Sequence, residues 1–348
     1  MLLLQMKGDR MFEAKKLTWE DWNRIVDEEG LVLPIEQTEV WANYQNTVDG
    51  RTFWGCLSLE GDGKTHALLS LFDYETHGYH YLRSHHAPMW LGQPTPAEEQ
   101  EALQALVAYV RKHDSQQVFM RIAVDGELDM TRPVLSSIPY DTTVVIDLTG
   151  GDDEILTRMK PRGRRDVRKA LREAPATCAD ETDLALTSFA EYYQIMVETA
   201  QRDGFSPAPQ EEYEKMLRML GPEHCRVFAG RLEDGSVCTW SICTVSGVHG
   251  TRYYAASRND TMRLHVTDKL VYFECCELAK LGCTEYDLMA IGSDFSPTLK
   301  GLNEFKTKFA KEVTHVAPDR DVPIKGAFYQ SLRLAKAAKQ QVGKLRHR

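Results

Sequence analysis

The sequence predicts an α+β protein built from two similar units, and three observations support that prediction. The order of predicted elements repeats, because each half contains two helices, hairpin-connected strands, a long helix and a further strand. Strands follow one another before each long helix, unlike the strict alternation of a doubly wound parallel sheet. The 348 residues, 43% of them hydrophobic, suffice for two cores of ordinary domain size. We therefore expect a first domain over residues 1–150 and a second over residues 151–348.

The first half begins with two helices and continues mainly in strands. Thr18 precedes Asp21 by three residues, which is the spacing of a helix N-cap, and predicts a helix over 18–29. Trp41 and Tyr44 fall on one face of a second helix over 36–45. Pro96 and the glutamates after it favour the start of a long helix. The remaining elements are strands at 52–59, 65–72, 79–83, 117–124 and 142–148, with the long helix at 96–113.

The second half also begins with helices and then continues with hairpin strands, a long helix and a further strand. Turn sequences such as Glu233-Asp234-Gly235 separate its hairpin strands, and no low-complexity linker separates the halves. Its helices are expected at 152–172, 182–202, 208–220, 264–281 and about 324–346, and its strands at 225–231, 237–245, 250–257, 284–291 and 312–316.

Composition and targeting signals narrow the class of protein. A net charge of −9 argues against a general nucleic-acid coat, although a local basic groove remains compatible with it. The eight cysteines form no CxxC pair and lie mainly in apolar runs, which is typical of a reducing compartment. We find no signal peptide and no apolar run long enough to span a bilayer, so the sequence predicts a cytoplasmic protein without a transmembrane segment.

Familiar catalytic and cofactor motifs are missing from the chain. It contains no dinucleotide fingerprint, P-loop, HExxH or GxSxG sequence. His85 and His86 are adjacent in a strand context, where neighbouring side chains point to opposite faces, so we expect no metal site there. Cys275 and Cys276 fall within a predicted helix and are interpreted as core.

A strongly basic segment stands out in this acidic chain. Residues 160–172 contain seven Lys or Arg among thirteen residues, and Arg165, Arg168 and Arg172 share one helix face. Such a face suits contacts with phosphodiesters, which require cations but no base-specific groups. A solvated basic helix is the alternative.

Two further stretches are candidates for binding or catalysis. In residues 301–309, Phe305 and Phe309 are four apart and face one side of a short helical turn, with Lys306 off that face. This spacing suits a cation aimed into a cleft; the alternative is an amphipathic turn with solvated lysines at Lys300, Lys306, Lys308 and Lys311. Arg202 precedes Asp203-Gly204 at a predicted helix end, where it can partner the helix dipole or a phosphate.

Several sequence blocks, taken in order, resemble a known family. Residues 141–148 followed by 155–170 resemble the central signature of the Fem family, the non-ribosomal peptidyltransferases that build peptidoglycan interpeptide bridges. Residues 199–205, 252–257 and 301–309 resemble its later blocks. Gln37…Trp41-Ala42 and Arg121-Ile122 resemble blocks of its first half. Each block is loose alone, but their ordered set covers nearly the whole chain.

The resemblance implies a fold and a reaction. It implies two tandem acetyltransferase-like (GNAT-like) domains without a coiled-coil arm, as in the shorter, FemX-like members. It implies an aminoacyl-tRNA donor and a lipid II or UDP-MurNAc-pentapeptide acceptor, with no cofactor and no metal. We expect a monomer with peripheral contact to the inner membrane face.

The resemblance also assigns roles to residues of this chain. Lys306 is expected to be catalytic, stabilising the oxyanion. Arg202, Tyr254 and Gln45 are expected to bind the acceptor and its phosphate. Gln45 departs from the family, which usually carries a lysine there, and so do residues 309–311 and 288–290, where the family usually has Phe-Gly-Gly. The tRNA-binding residues are expected to be Arg164, Arg165 and Arg168.

Two other functions remain open on the sequence alone. An acetyl-CoA-dependent N-acetyltransferase needs a glycine-containing pyrophosphate loop at a helix start, and neither half contains the expected [RQ]xxGx[GA] sequence. A non-catalytic module that binds tRNA or the cell-wall precursor would use the basic helix as its footprint.

Overall fold

A computed structural model describes residues 12–135 and 137–346, with the side chains of residues 340 and 342–346 left out of the description. The chain divides into two compact units. The first combines the chain up to Leu31 with Glu36–Pro139 and the chain from Ala317 onward. The second combines Val32–Ile35 with Tyr140–Val316.

The strands, in chain order, are β1 (Glu13–Leu17), β2 (Arg51–Gly61), β3 (Lys64–Thr76), β4 (Tyr79–Arg83), β5 (Met89–Trp90), β6 (Gln117–Ala123), β7 (Thr142–Asp147), β8 (Thr177–Asp180), β9 (Cys225–Arg231), β10 (Val237–Ser246), β11 (His249–Ser257), β12 (Glu285–Ala290), β13 (Thr314–His315) and β14 (Asp319–Pro323).

The α-helices are α1 (Trp19–Glu28), α2 (Glu39–Gln45), α3 (Pro96–His113), α4 (Asp152–Arg158), α5 (Pro161–Glu173), α6 (Thr182–Thr187), α7 (Ala190–Asp203), α8 (Gln210–His224), α9 (Val266–Lys280), α10 (Asn303–Lys306) and α11 (Gly326–Arg346). Short 3-10 turns cover Ile35–Gln37, Asn259–Leu264 and Pro297–Leu302.

The two units contain equivalent mixed sheets. The first has the order β1-β2-β3-β4-β6-β14, with β5 paired to β3, and the second has the order β13-β7-β12-β11-β10-β9-β8. In each unit three antiparallel strands lead into a long helix, and the next strand returns parallel to the third. An antiparallel strand then flanks that returning strand, β14 in the first unit and β7 in the second, where β13 adds the edge. The structure confirms the α+β class and the duplicated organisation of the chain.

The strands that complete the two sheets change the expected domain limits. The strand predicted at 142–148 was assigned to the first domain, but β7 pairs with β12 and belongs to the second unit. The basic C-terminal helix was assigned to the second domain, but β14 pairs with β6 and carries α11 into the first unit. The C-terminal strand thereby covers the edge of β6, which would otherwise expose unpaired backbone groups.

Two long helices of the expected second domain are each divided in the structure. The helix predicted over 152–172 ends at Arg158 and restarts at Pro161, because a proline ring disfavours helical geometry in the preceding residue; Lys160 is extended, with ψ 155°. The helix predicted over 182–202 breaks where Ser188 is extended, with ψ 123°. Phe189 then enters the core beside Trp240, at a ring-centroid distance of 5.2 Å.

Local capping follows the sequence pattern closely. The Thr18 hydroxyl accepts a hydrogen bond from the Asp21 backbone N–H at 3.1 Å, and Thr95 and Glu98 form a capping box before Pro96. Trp41 and Tyr44 are both buried, with their rings 5.1 Å apart. Across residues 12–346, Ser136 excepted, no helix is both long and apolar enough to cross a bilayer.

Candidate functional site

The second unit opens at the carboxyl end of its parallel strand pair. β11 and β12 pair only from His249 with Glu285 to Thr251 with Asp287, although both strands continue further. In the first unit, the equivalent β4–β6 pairing extends to the end of β4 at Arg83. The β11–β12 pairing therefore stops before the carboxyl ends of both strands, which is where α/β folds commonly bind ligands.

Lys306 lies at this opening because the backbone after β12 holds its helix in place. The Asn303 side chain accepts a hydrogen bond from Gly292 N at 2.7 Å and donates one to Gly292 O at 2.8 Å. Lys306 Nζ then donates to Ala290 O at 2.9 Å. Met289, just before that carbonyl, has a left-handed φ of 62° within a register shift between β12 and β7. Such irregularities often redirect backbone groups next to functional sites.

The environment of Lys306 disfavours its charged form. Burial, reinforced by the nearby guanidinium of Arg252, lowers the pKa of Lys306 to about 8, while Asp287 acts in the opposite direction. The Asp287 carboxylate is itself held by the Thr143 hydroxyl and by Met289 N at 2.6 Å. The amine is therefore a cation at neutral pH that retains only part of its solvation.

A buried polar network fixes the position of Arg252. Glu274 of α9 accepts hydrogen bonds from Arg252 Nε at 3.0 Å, from Tyr286 Oη at 2.5 Å and from Ser241 Oγ at 2.5 Å. The Glu274 carboxylate is thus fully hydrogen-bonded in the core and forms an ion pair with the guanidinium beside it. Burial is the main reason that the pKa of Tyr286 lies well above its usual value, so the phenol remains a hydrogen-bond donor.

Lys308 is not a solvated lysine. It is buried and forms ion pairs with Asp268 of α9 and with Asp166 of α5, the latter at 3.4 Å. Its Nζ also lies 5.1 Å and 5.3 Å from the ring centroids of Phe305 and Phe309. The alternative of a turn with solvated lysines is therefore wrong at Lys308. This lysine instead ties residues 301–309, called here the Lys306 segment, to α5 and α9. Lys300 and Lys311 are exposed, as that alternative expected.

The basic helix packs directly against the Lys306 segment. Lys160 N donates to Lys308 O at 3.1 Å, and a Cβ at Gly163 would overlap the same carbonyl oxygen. Arg162 donates to Glu304 at 2.7 Å. Gly163 therefore permits close approach of two backbones, a contact that the basic composition of the segment does not reveal.

The three arginines expected to bind tRNA fall into two groups. Arg164 NH1 donates to the carbonyl oxygens of Thr157 and Met159 at 3.1 and 2.6 Å, so it helps to join α4 to α5. Arg165 has a side chain 75% exposed, with Asp166 at 3.6 Å, and Arg168 is exposed. The exposed pair keeps its guanidinium groups in solvent beside the Lys306 segment.

Arg202 is engaged within the protein. Its Nε and NH2 donate to the two oxygens of Asp203 at 2.8 and 3.0 Å, and NH1 donates to Ser257 O at 3.0 Å and to Asn259 Oδ1 at 2.9 Å. Gly204 ends α7 in a left-handed conformation. Arg202 thus joins the C-terminus of α7 to the end of β11.

Tyr254 lies on the same strand but faces away from Arg252. A bulge between Ile242 and Cys243 of β10 makes Tyr253 the extra residue of β11. The Tyr254 ring packs 4.9 Å from Tyr213 of α8, while Arg252 contacts Glu274 of α9. The bulge accounts for this, because residues two apart on a regular strand share a face.

Gln45 belongs to the first unit and is almost fully buried, with 1% of its surface exposed. Its Oε1 accepts from Arg51 NH1 at 3.3 Å and from Tyr74 Oη at 3.4 Å, and its Nε2 has no hydrogen-bond partner among the described residues. The Arg51 guanidinium also lies 5.2 Å from the Tyr74 ring centroid. A buried amide nitrogen without a partner is uncommon in folded proteins.

The cysteines near Glu274 are buried in the core of the second unit. Burial raises the pKa of Cys243 and Cys275, so both remain neutral thiols, and the prediction of Cys275 and Cys276 as core is confirmed. No group of three His, Cys, Asp or Glu with metal-binding geometry occurs within the described parts of the chain.

Sequence reasoning missed the residues that position Lys306. Asn303 and Lys308 hold its segment, and Arg252, paired with Glu274, lowers its pKa. Asn303 lies within residues 301–309, which resemble a block of the Fem family. Its partner Gly292 lies eleven residues earlier, so the contact is not visible in that block. The only signal for the Glu274 network in the sequence is an acid within the apolar run 270–276 of its helix.

No protein-family model and no curated protein sequence matches this chain. Its structure is similar to the crystal structure of FemX, with a TM-score of 0.69 and 17% identity, covering 91% of this chain and 99% of that one. It is also similar to the C-terminal domain of a putative lysylphosphatidylglycerol synthetase from Agrobacterium fabrum, with a TM-score of 0.50 and 14% identity, covering 78% of this chain and 85% of that one. The L-PGS structure from Bacillus licheniformis gives a TM-score of 0.50 and 13% identity, covering 93% and 97%. The chain therefore has a FemX-like fold, as its resemblance to the Fem family implies.

Proposed function

We propose that this protein is an aminoacyltransferase that moves an amino acid from aminoacyl-tRNA to the stem peptide of a peptidoglycan precursor, lipid II or UDP-MurNAc-pentapeptide, and so builds the interpeptide bridge. The observation that carries the proposal is the partly desolvated Lys306 amine, which donates to Ala290 O at the open end of β12, on a helix that Asn303 fixes to Gly292, in a FemX-like fold.

Lys306 suits the electrostatic demand of this reaction. The acceptor amine attacks the carbonyl carbon of the tRNA ester, and negative charge develops on the carbonyl oxygen in a tetrahedral intermediate. An ammonium donates three hydrogen bonds, and within the described residues only Ala290 O uses one of them. The C–O bond to tRNA then breaks, an amide forms, and the proton lost by the amine leaves with the tRNA hydroxyl. A preorganised cation in a dry site lowers the energy of that oxyanion.

We assign Arg202, Tyr254 and Gln45 to acceptor binding. Arg202 already pairs with Asp203, so an acceptor phosphate would replace that carboxylate on a fork-shaped guanidinium. Gln45 is uncharged, and we propose that Arg51, which donates to Gln45 Oε1, supplies the cation usual in the family at this position. The unused Gln45 Nε2 donors would then serve the same anion.

We assign the tRNA phosphates to Arg165 and Arg168, with Arg164 as an internal support of their helix. The support for this assignment is exposure: both side chains extend into solvent on α5, which is fastened to the Lys306 segment through Lys308. Phosphate contacts by exposed arginines give affinity and orientation without sequence preference.

A turnover assay with charged tRNA and purified precursor tests the proposal, with mass spectrometry of the modified stem peptide as the readout. Lys306→Ala is expected to lower kcat by about 10²- to 10³-fold with little change in KM, because the oxyanion exists only in the transition state. Lys306→Arg should recover little, because a planar guanidinium does not replace a compact ammonium.

Lys311→Ala is the matched control for that assay, because Lys311 is an exposed lysine of the same segment. Lys308→Ala is unsuitable, since removing Lys308 leaves Asp268 and Asp166 without their buried cation. Near-normal turnover by Lys306→Ala would show that the segment is structural.

The same assay separates the competing functions. With acetyl-CoA in place of charged tRNA we expect no product, because the turn before α9, Asn259–Leu264, contains no glycine to bring backbone amides onto a pyrophosphate. Binding of tRNA without turnover would favour the non-catalytic module. We further propose that the protein is a cytoplasmic monomer that reaches its acceptor at the inner membrane face.

A further inference from the structure

The C-terminal helix α11 has a free face with a distinctive composition. Its first turns pack on the first unit: Tyr329 is buried, its ring 5.3 Å from Phe119, and its Oη donates to Asp321 at 3.0 Å. Leu332 is partly buried against the same aromatic cluster. Beyond Leu332, every described side chain of the helix up to residue 341 is exposed. The helix is therefore anchored at one end and solvated along the rest of its described length.

The outward side of α11 is apolar. At 3.6 residues per turn, Leu334 and Ala338 fall opposite Tyr329 and Leu332, which face the protein. Leu334 is 63% exposed, more than any other large hydrophobic side chain among the described residues. Leu334 and Ala338 form a narrow apolar stripe about one turn long, which ends at the exposed Gln341 and which no part of the described chain covers.

Cations border this stripe and no acid interrupts it. Residues 322–348 contain seven Lys or Arg and no Asp or Glu, in a chain whose net charge is −9. Arg333 and Lys339 are exposed and flank the stripe, each about 100° around the helix from its nearer stripe residue, and Lys336 lies toward the protein, where its Nζ is 3.5 Å from Val134 O. The charge of α11 is thus opposite in sign to that of the rest of the protein.

We infer that α11 docks on an anionic lipid surface. An apolar stripe bordered by Lys and Arg is the pattern of a helix that lies in the membrane interface, with the stripe in the acyl boundary and the cations at the headgroups. The stripe is small, so attraction to anionic headgroups supplies much of the binding. An RNA ligand fits less well, because the residues directed furthest outward, Leu334 and Ala338, offer a phosphate no charge.

Vesicle co-sedimentation of the full chain tests the inference without requiring any catalytic step. The protein should bind vesicles containing phosphatidylglycerol, bind pure phosphatidylcholine vesicles much less, and be released as salt rises. Leu334→Glu should weaken binding at least tenfold. Lys339→Glu should weaken it about fivefold or more, since each cation near an anionic surface contributes about that factor.

Two matched controls distinguish vesicle binding through α11 from non-specific adsorption of the protein. Leu184→Glu changes a leucine of similar exposure, 57%, on α6, and Lys112→Glu reverses an exposed lysine on α3. Both should bind vesicles like the unmodified protein, and all four variants should keep its melting temperature, because the altered side chains are solvated.

Three results would overturn the inference. The first is equal loss of vesicle binding in the control and helix variants. The second is vesicle binding that does not depend on phosphatidylglycerol. The third is a loss of tRNA binding, or of self-association in sedimentation velocity, in Leu334→Glu while vesicle binding is unchanged. Because no substrate is present in the vesicle assay, failure there leaves the aminoacyl-transfer proposal standing, and failure of turnover leaves vesicle binding standing.

Discussion

Replacing Lys306 with methionine should make the protein more stable while it loses activity. Methionine occupies a similar volume but carries no charge, so the substitution removes a partly desolvated cation from the end of β12. Burial and Arg252 lower the pKa of this lysine from 10.5 to about 8. A shift of that size corresponds to about 3 kcal/mol of destabilisation of the folded state while the amine is charged.

Part of that gain is offset by a lost hydrogen bond. Lys306 Nζ donates to Ala290 O, and a carbonyl left without its donor costs about 1–2 kcal/mol. The net expectation for Lys306→Met at neutral pH is a stabilisation of about 1–2 kcal/mol, measured from the urea midpoint of the transition that reports on the second unit.

The pH dependence distinguishes this explanation from a simple improvement in packing. Below about pH 8 the amine is charged in both folded and unfolded chains, so the unmodified protein carries the full penalty. Between about pH 8 and 10.5 the unfolded chain holds the proton more tightly, and the stability of the unmodified protein therefore rises with pH. The advantage of Lys306→Met should shrink across this window and become a deficit of about 1–2 kcal/mol above it, where only the lost hydrogen bond to Ala290 O remains.

Other groups that titrate in the same range are present in both proteins. Their contributions to the free energy of unfolding therefore cancel in the difference between the unmodified protein and Lys306→Met. Lys311→Met is the control, and its stability difference should stay near zero at every pH. A constant advantage, or a destabilised Lys306→Met at pH 7, would refute the claim that Lys306 is held as a desolvated cation.

Three further substitutions test other contacts. Gly163→Ala should destabilise the second unit by about 1–3 kcal/mol in urea unfolding, because the added Cβ meets the Lys308 backbone carbonyl, whereas an unobstructed helical glycine would gain stability. Arg165→Ala should reduce the log–log salt slope of tRNA binding by roughly 0.7–0.9, and an unchanged slope would assign this side chain to solvent. Arg202→Ala should raise the acceptor KM more than it lowers kcat in the turnover assay. An unchanged KM with a lower melting temperature would leave Arg202 a purely structural tie to Asp203 and β11.

Local structure was predictable because short-range chemistry determines it. The Thr18 cap, the helix start at Pro96 and the strand predicted at 142–148 each follow from residues within one turn or one strand. The aromatic pair of the Lys306 segment follows in the same way, since Phe305 and Phe309 meet at a ring-centroid distance of 5.3 Å.

What only the tertiary structure decided depends on partners far away in the chain. The apolar run of β7 predicts a strand from local sequence alone. Its neighbour β12 comes about 140 residues later in the chain, and the pairing with β12 assigns β7 to the second unit. The pairing of β14 with β6 reverses the expected place of α11 in the same way.

The candidate site shows the same division. Sequence spacing alone marks both Lys306 and Lys308 as lysines of one short turn. Only the fold brings Asp166 and Asp268 to Lys308, which becomes a buried tie, and leaves Lys306 with a backbone carbonyl and a neighbouring arginine. The chemical type of each residue is local, but its charge state and its exposure depend on what the rest of the chain packs around it.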